Sequence, residues 1–136
     1  MSYDISLTDP VTGETLELDA PHHMRGGTYA VGGSTRAHLN VTWNYATHYY
    51  RIFKPAPLRP GVDPHNANDG GTVGGIRSIY GLTGAESIPV LQNAIDQLGD
   101  DVHPDYWEPT EGNAKRALAQ LLALAKMRPD GVWNGD

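Results

Sequence analysis

The chain contains no cysteine, which removes a disulfide framework, a thiolate zinc site and a cysteine nucleophile and fits a reducing compartment. It also has no stretch approaching the roughly 20 consecutive apolar residues that cross a bilayer. Its first residues, MSYDISLTDP, lack the basic region and apolar run of a signal peptide. The expectation is a soluble, cytoplasmic protein with no membrane partner. Neither GxGxxG nor GxxxxGK[ST] occurs, so the two common nucleotide-binding loops are excluded, and HExxH and GxSxG are missing as well. The adjacent His22 and His23 point apart in either a strand or a helix, which leaves no convergent set of metal ligands. No metal and no cofactor are therefore expected. Positive charge is scarce too: the net charge is -6, and an acidic surface repels a long phosphate backbone unless its bases are clustered.

What charge there is has a pattern. The N-terminal stretch carries Asp4, Asp9, Glu14, Glu17 and Asp19 with no base, and acids outnumber bases again after Ser78. Between them, Arg25, Arg36, Arg51, Lys54, Arg59 and Arg77 face only Asp63 and Asp69, in company with His22, His23, His38, His48 and His65. A basic, His-rich middle in an acidic protein suits a small anionic ligand better than a long nucleic acid. Pairing of acids with bases between segments explains the same distribution equally well.

At 136 residues the chain has the length of a single domain, 1–136, able to bury its own core. The stretch Arg36 to Phe53, RAHLNVTWNYATHYYRIF, organises the rest. Ala37, Leu39, Val41 and Trp43 alternate with His38, Asn40, Thr42 and Asn44, so an extended strand has an apolar side and a hydrogen-bonding side. Tyr45 to Phe53 then reads as a short helix presenting Tyr45, His48, Tyr49 and Arg51. Upstream, the strands Tyr3–Thr8 and Thr15–Leu18 flank Asp9-Pro-Val-Thr-Gly13, whose Pro and Gly supply turn chemistry, and an antiparallel hairpin is expected. PHHMRGGTYAVGGSTR places glycine pairs around a short strand. Those pairs serve tight turns or bring N–H groups to an anion.

Lys54 to Gly75 is rich in Pro, Gly, Asn and Asp, so it is expected as a long loop: a lid, an arm or an inert insertion. Its His65, Asp63 and Asp69 match no metal-ligand spacing. Gly75 to Gly81 forms a helical turn. Thr83 and Glu86 have capping-box spacing ahead of a helix with Ile88, Leu91, Ala94, Ile95 and Leu98, although Pro89 allows the start to fall as late as Ser87. Thr110 caps a last helix with Ala114, Ala117, Leu118, Leu121, Leu122 and Ala125 as its apolar stripe. Trp107 and Trp133 are expected as core anchors, the latter on an apolar tail, Val132-Trp133, that folds back. The fold class is α+β: a small antiparallel sheet, made of the N-terminal hairpin and the central strand, packed against three to four helices.

Candidate ligand contacts gather on and around the central stretch. Asn40 and Asn44 donate and accept, Tyr45 or Tyr49 offers a stacking face, and His38 and His48 add polar edges. Arg25, Arg36, Arg51 and Arg77 would hold phosphate, with the Gly26-Gly27 and Gly32-Gly33 turns lending N–H groups. The plain alternatives are that Asn44 caps the helix and that His38 is structural. No catalytic residues emerge. An enzymatic reading, a phosphodiesterase using His38 and His48 as acid and base, lacks the usual H-x-[ST] pattern in its HLNVT strand. A protein-interaction module with no small ligand is a third class.

The segments MSYDI, DPVTGETLELD, HMRGGTYAVGG, LNVTWNY, GIRSIYG, YWEPTEGNAKRAL and MRPDGVWNGD together resemble a family of small phage and prophage proteins. The resemblance spans nearly the whole chain apart from 55–73 and transfers no catalytic residue. It implies a setting, the cytoplasm of a bacterial host. In size, setting and pocket chemistry it is similar to phage anti-defence proteins, typically homo-oligomers, that sequester cyclic ADP-ribose isomers or cyclic dinucleotides. By that analogy the chain is expected to be a nucleotide sponge and a homo-oligomer.

Overall fold

The computed structural model describes residues 2–24, 33–68 and 70–136. Its central sheet is built on β1 (Ser2–Thr8), where Tyr3, Ile5 and Leu7 are fully buried and the intervening residues face outward. A strand of this period must find partners on both edges. One is β4 (His38–Thr42), antiparallel, with Tyr3 opposite Val41 and Ile5 opposite Leu39. The other is β7 (Val132–Gly135), antiparallel, with Leu7 opposite Trp133. The order is β4-β1-β7, and the inner face carries Leu39, Val41 and Trp133 beside the β1 residues.

The turn after β1 closes as its residues dictate. Asp9 Oδ1 accepts from the N–H of Val11 at 2.8 Å and of Thr12 at 3.0 Å, and Gly13 takes φ +75, a conformation that disfavours a Cβ. The returning arm does not continue the hairpin. After a single bridge from Thr8 to Thr15, the chain leaves as β2 (Glu17–His22) and pairs with β3 (Ser34–Arg36) in a separate two-stranded sheet. The arm stays beside β1 only at its end, where the Leu16 N–H donates to the Leu7 carbonyl at 2.9 Å and the Asp9 N–H to the Glu14 carbonyl at 2.8 Å; the rest of β1 is paired by β4 and β7. The short strand expected at Thr28 to Val31 lies outside the described residues.

A 3₁₀ turn, Trp43–Tyr45, capped by the Thr42 hydroxyl, converts β4 into α1 (Ala46–Ile52). The following segment is an anchored excursion. It contains a two-residue pairing of β5 (Ala56–Pro57) with β6 (Thr72–Val73) and a 3₁₀ turn at Pro64–Asn66. Val62 is buried, Asn66 donates to the Gly135 carbonyl, and Arg59 Nη1 donates to the carbonyls of Ser78 at 2.7 Å and Tyr80 at 3.0 Å. Asp63 accepts from the His65 N–H within this turn, so its carboxylate serves a cap.

α2 (Gly84–Asp96) starts at the capping box, with Thr83 and Glu86 each accepting the other's backbone N–H. Pro89 sits inside this helix, and the box holds the first turn in place ahead of it. α3 (Glu111–Met127) begins at Thr110 and buries the whole expected stripe. Its neighbour across the core is α2, and the two cover the inner face of the sheet with Leu91, Leu118 and Leu121 fully enclosed. Each such side chain contributes about 1.5–3 kcal/mol on burial. Trp133 is enclosed as expected, its indole N–H donating to Ser87 Oγ at 2.7 Å. Trp107 is not a core residue: it is 42% exposed, on the loop between α2 and α3. Among the described residues no helix is long and apolar enough to cross a membrane.

Candidate functional site

The predicted ligand contacts fall into three separate groups. On the outward face of the sheet, His38 and Asn40 stand opposite Ser6 and Asp4. Asn40 Nδ2 donates to Ser2 Oγ and to Asp4 Oδ1, both at 2.8 Å, while its own Oδ1 is buried without a partner. His38 Nδ1 lies 3.0 Å from Ser6 Oγ and its Nε2 lies 3.6 Å from Asp4 Oδ1. Burial holds the His38 pKa below its ordinary value; Arg36 and His22 push the same way, and Asp4 and Asp136 oppose them. Arg36 itself is on β3, donating to Thr15 Oγ1.

The second group faces the 100–109 loop. Asn44 Nδ2 donates to the Trp107 carbonyl at 2.8 Å, the Tyr45 hydroxyl donates to the Tyr106 carbonyl, and His48 Nε2 donates to the Pro109 carbonyl at 2.7 Å. Burial pushes the Tyr45 phenol up to about 12, which keeps it a donor at neutral pH. Arg51 approaches His48 Nδ1 at 3.3 Å and Glu111 at 3.7 Å. Tyr49, offered as a stacking face, is fully buried and donates to the Ala114 carbonyl. Asn44 does not cap α1, because its amide holds the loop. His38 and His48 have no partner in common: one belongs to the sheet face, the other clamps a loop.

Arg77 forms the third group. Its guanidinium lies about 5 Å from the rings of both Tyr3 and Trp43, and its Nε donates to the Asp136 carbonyl. The three arginines Arg36, Arg51 and Arg77 thus have different partners on different elements and do not converge on one anion. Arg25, Gly26 and Gly27 lie outside the described residues, as do Gly32 and Asp69. Among the described residues no group of three or more His, Asp or Glu is placed to hold a metal ion.

A different cavity gathers positive charge. A groove of about 650 Å³ runs between the end of α1, the 54–59 segment and α2. Arg51, Lys54 and Arg59 line it, together with Ser78 and the carboxamides of Asn93 and Gln97. Ile52, Phe53, Leu82, Pro89 and Val90 form its apolar wall, and among the described residues no carboxylate lines it. In a chain of net charge -6 that is a local reversal of sign. Two smaller cavities differ: one, of about 550 Å³, mixes Glu17 and Asp19 with His22 and Arg128, and the other, of about 530 Å³, carries Asp9 as the only charge among its described lining residues.

Of the expected contacts among the described residues, only Arg51 lines the groove. Lys54 and Arg59 were hidden by the Pro-rich composition of their segment, although two bases each followed by a proline directly after a helix were a readable sign. Pro89 and Asn93 on α2 and Gln97 at its C-cap recur every four residues, which places them on one exposed face. Comparison with family models, with curated proteins and with solved structures found no match.

Proposed function

We propose that this chain is a non-enzymatic binding protein that retains a small phosphorylated nucleotide in the groove between α1 and α2. The carrying observation is the groove's one-sided chemistry: Arg51, Lys54 and Arg59 with no carboxylate among the described lining residues, the nearest described one being Glu111, 3.7 Å from Arg51, together with amides of Asn93 and Gln97 that donate and accept, and an apolar wall. Its volume falls within the range of small-molecule sites, roughly 300–1,000 Å³. Guanidinium and ammonium groups hold phosphate by charge-assisted hydrogen bonds, and the carboxamides suit the edges of a base or a ribose. The resemblance to phage and prophage proteins supplies a role, the sequestration of a cyclic ADP-ribose isomer or cyclic dinucleotide. On this reading the site moves from the strand face to the groove, with Arg51 common to both.

The test is to incubate the purified protein with such nucleotides, remove the unbound fraction, heat, and chromatograph the supernatant. Intact nucleotide released by heat is the expected result. A new product would make the protein an enzyme, and no retention would end the nucleotide reading. Lys54→Glu should weaken retention by about 1.5–3 kcal/mol, the worth of a hydrogen bond to a charged group. Unchanged affinity in that variant would remove the groove from the site.

A further inference from the structure

We infer that two copies of this chain associate about a twofold axis, each laying its 100–108 loop over the groove of the other, so that the partner's Trp107 completes the ligand site. The inference rests on the groove being the binding site, and it supplies what the groove lacks. Among the described residues Phe53 is its one aromatic lining residue and is buried at 4% exposure, so those residues give the groove no open ring face on which a nucleobase stacks.

The loop is built to be presented. It has no regular secondary structure, yet Asn44 and Tyr45 hold its Trp107 and Tyr106 carbonyls, and His48 holds the Pro109 carbonyl just after it. The fully buried Asn113 donates to two more, those of Asp105 and Glu108, and accepts from the His103 N–H. Gly112 lets α3 approach so closely that a Cβ there would sit 2.7 Å from the backbone of Asp101 and Val102. What this rigid loop shows to solvent is Trp107 at 42% exposure, with its ring 5.1 Å from that of Tyr106, and Val102 at 55%. Asp101, Asp105 and Glu108 belong to the same loop, the first two accepting from the N–H groups of Gly112 and Trp107, and residues 100–111 include no lysine or arginine.

The complementary surface is on the same chain. The groove offers Arg51, Lys54 and Arg59, with Val90 exposed at 37% on its wall. Groove and loop are neighbours: Gln97, the last residue of α2's C-terminal cap, lines the groove, and the loop begins three residues later. Two adjacent patches of opposite charge satisfy each other reciprocally across a twofold axis, acid to base and base to acid, in a closed pair. An exposed, preorganised tryptophan ringed by polar groups is the side chain expected to anchor such a contact.

Sedimentation equilibrium of the full chain, at low and high salt, tests this. The native protein should be a dimer whose association weakens with salt. Glu108→Lys and Lys54→Glu should each weaken association by about tenfold or more, since each substitution removes two symmetry-related contacts. An equimolar mixture of the two variants should restore the dimer, because each then offers the charge the other requires. Trp107→Ala should lower both association and nucleotide retention. A native protein that is monomeric throughout, or two variants that fail to complement each other when both keep the native circular dichroism spectrum, would overturn the inference while leaving groove binding readable in the retention assay. A normal dimer that retains no nucleotide would overturn the groove reading instead, and with it the idea that Trp107 completes a site. A basic peptide or unrelated protein bound at the loop in place of a second copy would leave the native chain monomeric, and so also counts against it.

Discussion

Ser87 has no exposed surface, yet its hydroxyl accepts from the Trp133 indole N–H and donates to the Gly84 carbonyl. It joins the start of α2 to the last strand. Ser87→Ala would leave the indole N–H enclosed without a partner, which costs about 1–3 kcal/mol. Urea denaturation should show that loss, and Trp133→Phe in the Ser87→Ala background should cost less than it does alone, since the indole donor is then already orphaned. His38 makes a pH-dependent contribution. Its folded pKa lies below the ordinary value of 6.5, so above that value both folded and unfolded forms are neutral and nothing is lost. As the pH falls from there through the folded pKa, the unfolded chain takes up a proton that the folded chain resists, and stability declines. His38→Gln should flatten the stability profile in this window. Asp9 and Glu86, whose carboxyls are held below their usual range by backbone N–H groups, act at lower pH, beneath about 4, and so leave the histidine effect separable.

At the scale of elements, α3 was the most legible part of the chain. Thr110 marked its start and six apolar positions marked its buried face. α2 was legible from its capping box, although Pro89 argued for a later start. Thr83→Ala should cost about 1 kcal/mol while leaving the fold intact, measured as a shift of the urea midpoint with an unchanged slope. β7 was not legible as a strand. It has four residues, too few for a period to show, and its partner was fixed by a contact far along the chain. The sequence left the candidate site open for a chemical reason: Asn44, Tyr45 and His48 carry the same donors whether they hold a ligand or a main-chain carbonyl. The sequence showed the donors, and only the position of the aperiodic 100–109 loop showed where they point.

For the whole molecule, the charge pattern was the informative signal. The basic middle was visible in the sequence, and Arg51, Lys54 and Arg59 from it line one groove. Each described arginine of that middle also has partners within the protein: Arg77 aromatic rings and a carbonyl, Arg36 a threonine hydroxyl, Arg51 His48 and Glu111, and Arg59 the carbonyls of Ser78 and Tyr80. Which cations remain available to a ligand depends on local partners that no count of residues reveals. The same limit applied to Trp107 and Trp133, of one residue type and both near the ends of α3 in sequence, of which one lies in the core and the other faces solvent.

The position of β1 in the middle of the sheet has a consequence for how the chain folds. Its edge toward β4 is satisfied within about the first third of the sequence, but the Thr8 hydroxyl that bonds the Val132 carbonyl waits for a residue 124 positions later. Contacts of such separation carry a high loop-closure cost and are associated with slow folding. As the chain emerges from the ribosome, the first strand therefore has one open edge until almost all of residues 1–132 have been made. The zipper between β1 and β7 is expected to be the late, rate-limiting event, and stopped-flow refolding should find Trp133 among the last side chains to be buried.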